Sequence, residues 1–239
     1  MTDGNAVQVQ QQEERDQLIS QLIEVNAGRA AYYRMLGELF FRELTQEQVE
    51  HLAGMDFAGM DGGDELIAQG YDDMRRYLRH VNSGTRQALA CDYAHTFLAA
   101  GNYETFAATP FESVFTSQLG LMMQEARDDV YRRFCEARVA VDEGLRTPED
   151  HLSFEFEFMA AQAGEQARAL HAGDTAAAAS ALRTQREFHR DHLLNWIDAY
   201  CDCLQSCAQT RFYRGVAKLT RGFVHMDEDM MDDAAETLC

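Results

Sequence analysis

Residues 13–44, EERDQLISQLIEVNAGRAAYYRMLGELFFREL, decide the fold class. Leu18, Leu22, Val25, Tyr33, Leu36 and Phe40 recur in this stretch at three- and four-residue steps or their sums, the period of an amphipathic helix. Gly28 marks the place where such a helix would kink or divide. Further along, Thr45 with Gln48 is a capping-box pattern that opens a second helix. The Gly-rich stretch 54–63 reads as a loop, and helices follow over 64–81 and 85–100. Beyond a loop at 101–110, the pattern predicts a helix after Pro110 and others over 128–141, 148–171, 174–207 and 211–224.

Composition agrees. The chain has 33 Ala against 11 Val and 4 Ile, and its only prolines are Pro110 and Pro148, so long stretches carry no breaker. Neither Asp3-Gly4 nor Asp61-Gly62 lies between alternating apolar runs, so no hairpin is signalled. The reading is all-α: a single globular domain of about ten helices over residues 1–225, more than a four-helix bundle needs. The connection 142–147 is a candidate hinge. The tail 226–239 holds six acids and no base, and is expected to be flexible.

At 239 residues and 46% hydrophobic composition, the chain can bury a core without disulfides. No apolar run is long enough for a transmembrane span, and the polar start lacks the apolar core of a secretory signal. The six cysteines contain no CxxC pair and are expected to be thiols in a reducing compartment, the cytoplasm. Cys201, Cys203 and Cys207 share one helix but point in different directions, which suits buried thiols better than a thiolate metal site. A net charge of −19 argues against nucleic acid and for a basic partner. Residues 43–73 hold nine acids and no Lys or Arg, and residues 142–165 hold seven acids with only Arg146. Each run is either a solvated face or a docking surface for a basic segment.

Few residues suggest chemistry. Thr109-Pro110-Phe111-Glu112 and Thr147-Pro148-Glu149-Asp150 share a Thr-Pro-x-acid pattern, read as an N-cap, a proline at the first helical position and an acid near the positive helix end. His151 follows directly and can donate, accept or titrate. His151 and Glu155 stand one helical turn apart, as do His189 and His192; either pair could supply two metal ligands, but no local pattern places a third. Tyr93, Phe97, Phe106, Phe111 and Phe115 flank the 101–110 loop and suit either a core or a peptide groove. There is no GxxxxGKS/T, GxGxxG or GxSxG motif.

Four blocks, in order, carry a family resemblance. Asp92-Tyr93-Ala94-His95-Thr96-Phe97-Leu98 is similar to an aromatic helix before a loop. Pro110-Phe111-Glu112-Ser113-Val114-Phe115 resembles a P-Y-E-S-V-Y segment, with Phe111 and Phe115 in place of the usual tyrosines. Pro148-Glu149-Asp150-His151-Leu152, continuing to Glu157-Phe158-Met159-Ala160, resembles P-x-D-H-L…E-L-E-F-M. His192-Leu193-Leu194-Asn195-Trp196 resembles H-L-L-x-W. Together they are similar to the TorD/DmsD family of molybdoenzyme maturation chaperones; the first 90 residues match only as amphipathic helices.

The resemblance implies a cytoplasmic, all-helical chaperone rather than an enzyme. Its partner would be the catalytic subunit of a molybdopterin oxidoreductase, bound through a twin-arginine leader and held for cofactor insertion before export. The family match carries leader-binding roles to Tyr93, Phe97, Pro110, Phe111, Glu112, Ser113, Pro148, Asp150 and His151. Asp150 or Glu112 would pair with an arginine, the aromatic residues would take apolar side chains, and Pro148 would fix its loop. No metal or resident cofactor is expected, and weak guanine-nucleotide binding rests on the resemblance alone. Oligomeric state is open, a homodimer included. Two other classes compete: a metal-dependent helical enzyme using His151 and Glu155, and an assembly adaptor that docks a mature reductase subunit without reading a leader.

Overall fold

Tyr33, Leu36 and Phe40 fall on one stripe of the first helix because three- and four-residue steps return to the same face. In the computed structural model, which describes residues 3–57, 59–60, 62–100, 107–142 and 144–238, this helix is α1 (Asp3–Phe41). All three side chains are fully buried, whereas Leu18 and Val25 at its outer end stay exposed. Gly28 does not divide it. The stripe packs along α7 (Leu152–His171), which buries Leu152, Phe156, Phe158 and Met159. The two backbones approach closely at Gly37, whose carbonyl accepts the Ser153 hydroxyl at 2.8 Å.

The helices between these two are α2 (Gln46–Gly54), α3 (Glu65–Leu78), α4 (Thr85–Phe97), α5 (Glu112–Thr116) and α6 (Glu125–Glu136). The capping box at Thr45 and Gln48 is present, both reciprocal bonds included. After α7 come α8 (Thr175–Phe188), a π turn (His189–Leu193), α9 (Ile197–Cys207) and α10 (Arg211–Leu238). α10 crosses α3 where two glycines meet: a Cβ on Gly215 would sit 2.7 Å from the Gly70 carbonyl oxygen, and one on Gly70 would sit 2.8 Å from that of Gly215. One apolar cluster runs from Ala30 on α1 to Ala234 on α10, so the core is shared by the whole chain. The architecture is all-α, and among the described residues no helix is long and apolar enough to cross a membrane.

Two expectations need correction. Residues 226–238 do not fray; they are the last turns of α10. Their acids face solvent except Asp227, which is buried against Arg29 and Tyr33 of α1, and Met231 and Ala234 are buried on the same side. The Thr-Pro-x-acid motifs are not helix starts either. α5 begins at Glu112 with Phe111 as N-cap, and α7 begins at Leu152 with His151 as N-cap. Phe111 is extended, whereas Pro148-Glu149-Asp150 forms a turn closed by the His151 N–H on the Pro148 carbonyl at 3.2 Å, and the two segments meet at Phe111 and His151.

Candidate functional site

The pairing is an isolated antiparallel bridge between Phe111 and His151. Glu112 N–H donates to the Asp150 carbonyl at 3.0 Å, and Leu152 N–H donates to the Pro110 carbonyl at 2.9 Å. Proline serves here because it holds an extended approach and its missing N–H is not needed by the bridge. The Phe111 ring stands edge-on to the His151 ring, with centroids 4.9 Å apart. Asp150 Oδ2 then accepts the Ser113 N–H at 3.0 Å, capping α5 from outside that helix. His151 Nδ1 accepts the Ser153 N–H at 3.1 Å, capping α7. An accepting Nδ1 carries no proton, and burial of the ring pushes its pKa down to about 3.

The bridge fixes Glu112 in a buried polar cluster. Asn195 Nδ2 donates to Glu112 Oε1 at 2.7 Å, and His192 Nδ1 lies 2.9 Å from Glu112 Oε2. His192 Nε2 lies 3.1 Å from Asp129 Oδ2 on α6. Both His192 and Asn195 come from the π turn and the residues after it, where the chain leaves regular α geometry; such insertions recur at functional sites. Behind Glu112 lie two more buried acids. Asp150 has one oxygen with no hydrogen-bond partner and Glu155 has two. Burial first, then the nearby Glu112 and Asp150 charges, hold the Glu155 carboxyl well above its ordinary pKa, and burial raises that of Asp150.

In front of the cluster is an open groove of about 970 Å³ between α5, α6 and the π turn. Glu112, His192 and Asn195 line its floor, and Glu125, Asp128, Asp129 and Asp191 its walls. One end is formed by the loop joining α5 to α6, where Leu119, Leu121, Met122 and Met123 are all exposed, Leu119 by 73%. Ser113 Oγ ties this loop down by accepting the Gln124 N–H at 3.2 Å. Arg127 ties α6 to the second Pro motif through a two-pronged pair with Glu149, at 2.6 and 3.0 Å.

Pro110, Phe111, Glu112, Ser113, Pro148, Asp150 and His151 are therefore gathered around one pair of bridged turns. Tyr93 and Phe97 are not: both are buried against Tyr213, and the Tyr93 hydroxyl donates to the Phe40 carbonyl at 2.8 Å. Phe106 lies outside the described residues, as do Glu143 and Cys239. His189 is turned away, its Nε2 on the Val224 carbonyl at 2.9 Å. Among the described residues no group of three or more His, Cys, Asp or Glu is placed to hold a metal ion. Cys203 and Cys207 face each other with sulfurs 3.8 Å apart, and burial pushes the Cys201 thiol up to about 12. Sequence reasoning does not assign roles to Asp129, Asn195 or the exposed Leu119–Met123 run. His192 is signalled in the sequence by its spacing from His189 and by the H-L-L-x-W block, and Asn195 by the block alone.

Comparison with known proteins gives this geometry a family. Residues 62–202 match the model of the family described as nitrate reductase delta subunit. Chaperone protein TorD of Vibrio cholerae is 25% identical over 227 residues, spanning 90% of this chain and 97% of that protein. Chaperone protein TorD of a Psychrobacter species is 26% identical over 221 residues, spanning 88% and 95%. A solved structure of a candidate redox enzyme maturation protein from Archaeoglobus fulgidus shares the fold, with a TM-score of 0.50 and 16% identity over 84% of this chain and 93% of that one. The match covers the bridge, the groove and the π turn together, and the chain belongs to the nitrate reductase delta subunit family, among its TorD-like maturation chaperones rather than among enzymes.

Proposed function

We propose that this protein is a cytoplasmic chaperone for the catalytic subunit of a molybdopterin oxidoreductase. It binds the subunit's twin-arginine leader in the acidic groove and holds the apoprotein for cofactor insertion before export. One observation carries the reading: a groove walled by Glu125, Asp128, Asp129 and Asp191 adjoins the exposed apolar loop Leu119–Met123. A leader of the implied kind has a basic region followed by an apolar stretch, and the two surfaces complement those parts in turn. Each exposed charge pair contributes on the order of 1 kcal/mol and is screened by salt, so the acids favour encounter and orientation. The apolar loop supplies area that water gives up on binding.

In this reading Glu112 meets the ligand, while Pro110, Phe111, Ser113, Pro148, Asp150 and His151 hold the turns that present it. Tyr93 and Phe97 contribute from the core behind them. The test is calorimetric titration with leader peptides of candidate molybdoenzymes at low and moderate salt, against a scrambled peptide of equal charge. Selective, salt-weakened binding of the true leader is expected. Equal binding of both peptides would reduce the groove to a nonspecific attractor. An undiminished complex with a client lacking its leader would instead favour the adaptor role.

A further inference from the structure

α9 ends on a pair of thiols. Cys203 and Cys207 stand one helical turn apart, so they share a face of α9, and their sulfurs are in hydrogen-bonding contact at 3.8 Å. Both side chains are partly exposed, whereas Cys201 is buried and points away from Cys203. Cys91 on α4 and Cys135 on α6 are exposed.

We propose that Cys203 and Cys207 are a modification site, which a small-molecule disulfide such as oxidised glutathione converts into a reversible internal disulfide. The Cys207 thiolate attacks one sulfur of the oxidant, breaks its S–S bond and releases one glutathione thiolate. The Cys203 sulfur, its proton given to solvent, then attacks the Cys207 sulfur and releases the second. Two electrons pass to the oxidant, and the two thiol protons end on the two reduced glutathione molecules.

The order of attack follows from the surroundings. Burial first, then the neighbouring Cys207 sulfur, push the Cys203 thiol up to about 12. The first attack therefore falls to Cys207. Once Cys207 is bonded to glutathione it carries no thiolate, so its share of what holds Cys203 protonated is gone. The resolving sulfur is already in contact with the one it attacks, which favours internal closure over a lasting mixed disulfide.

Closure strains the helix. Side chains at i and i+4 stand about 5–6 Å apart at Cβ, while a disulfide needs about 3.5–4.5 Å. α9 can yield here because Cys207 is its last residue. The segment that follows is pinned: Ala208 N–H donates to the Leu204 carbonyl at 2.9 Å, and Asp92 accepts the Gln209 N–H at 2.9 Å and the Thr210 N–H at 2.7 Å. Drawing Cys207 toward Cys203 pulls against these bonds. Strained, partly exposed disulfides are the readily reduced ones, so the pair serves a transient modification and not a structural staple.

The test is treatment of the folded full chain with oxidised glutathione, then alkylation in urea, trypsin and mass spectrometry. Cys201, Cys203 and Cys207 fall in one tryptic peptide, residues 191–211. It should lose two hydrogens and carry its single alkyl group on Cys201, which leaves the cross-link between Cys203 and Cys207. Peptides with Cys91 or Cys135 should carry glutathione instead. Cys203→Ser should trap glutathione on Cys207. Glutathione retained on both Cys203 and Cys207 of the wild type would overturn the proposal. So would a cross-link that includes Cys201, or a pair left untouched under conditions that modify Cys91.

Hydrogen exchange over residues 204–210 tests the strain. It should be faster in the oxidised chain and return to its former rate when excess reduced glutathione is added. A disulfide that resists reduced glutathione, or that slows exchange in this segment, would overturn the reversible modification.

Discussion

Asp150 caps a helix to which it does not belong: its Oδ2 accepts the Ser113 N–H across 37 residues of sequence. The carboxylate that resembles a ligand-binding acid is thus committed, on one side, to holding α5 and Glu112 in place. Asp150→Ala should cost about 1–3 kcal/mol, through the lost cap and the orphaned N–H. Asp150→Asn keeps an oxygen acceptor and should cost clearly less. Urea unfolding of the two variants checks this; equal losses would show that the cap contributes little.

His151 and Glu155 give opposite pH dependences. The unfolded chain protonates His151 near 6.5, but the folded chain resists until about 3, so this contribution is lost as pH falls through that window. Glu155 has a raised folded pKa, so its contribution is complete below about 4.5 and is lost as pH rises. Glu155→Gln mimics the neutral acid. It should leave the thermal midpoint nearly unchanged at about pH 4.5 and raise it at about pH 8. Thermal scans at the two pH values decide; a gain of equal size at both would remove the titration argument.

Leu119 and Leu121 belong to the exposed end of the groove, where they make little contact with the core. The double change Leu119→Ser with Leu121→Ser should move stability by no more than about 0.5 kcal/mol. Leader binding should weaken by roughly tenfold, from the apolar area no longer removed from water. Paired denaturation and calorimetry would separate the two effects.

Gly215 and Gly70 permit the crossing of α10 over α3. Because the clash at Gly215 is with a backbone carbonyl, no side-chain rotation relieves it. Gly215→Ala should destabilise by about 1–3 kcal/mol. Gly28, with nothing within 4 Å of an added Cβ, is the matched control, and Gly28→Ala should be neutral or stabilising.

The helical class is legible because it rests on local period and breaker content, as residues 13–44 and the Thr45–Gln48 box show. The Pro motifs mislead because Thr, Pro and an acid in that order suit a helix start equally well. Their pairing with a segment some 40 residues away leaves no local trace. The tail misleads through composition: six acids outweigh the spacing of Asp227, Met231 and Ala234, which share a buried face. An acid at a core position looks like a break in the stripe until its partner Arg29 is known. The same holds for Glu112 with His192, 80 residues apart, where each sequence block suggests a role but neither names the other.

The Arg29–Asp227 clamp also has a consequence for biosynthesis. Chains emerge from the ribosome N-terminus first, so the arginine of α1 appears long before its counter-charge, which lies 198 residues downstream. Until Asp227 has emerged, docking α1 into its native surroundings would desolvate a guanidinium without a carboxylate, and the Tyr33 hydroxyl would lack its acceptor as well. The first helix therefore completes its packing only after residue 227 has been made, 198 residues later than its arginine.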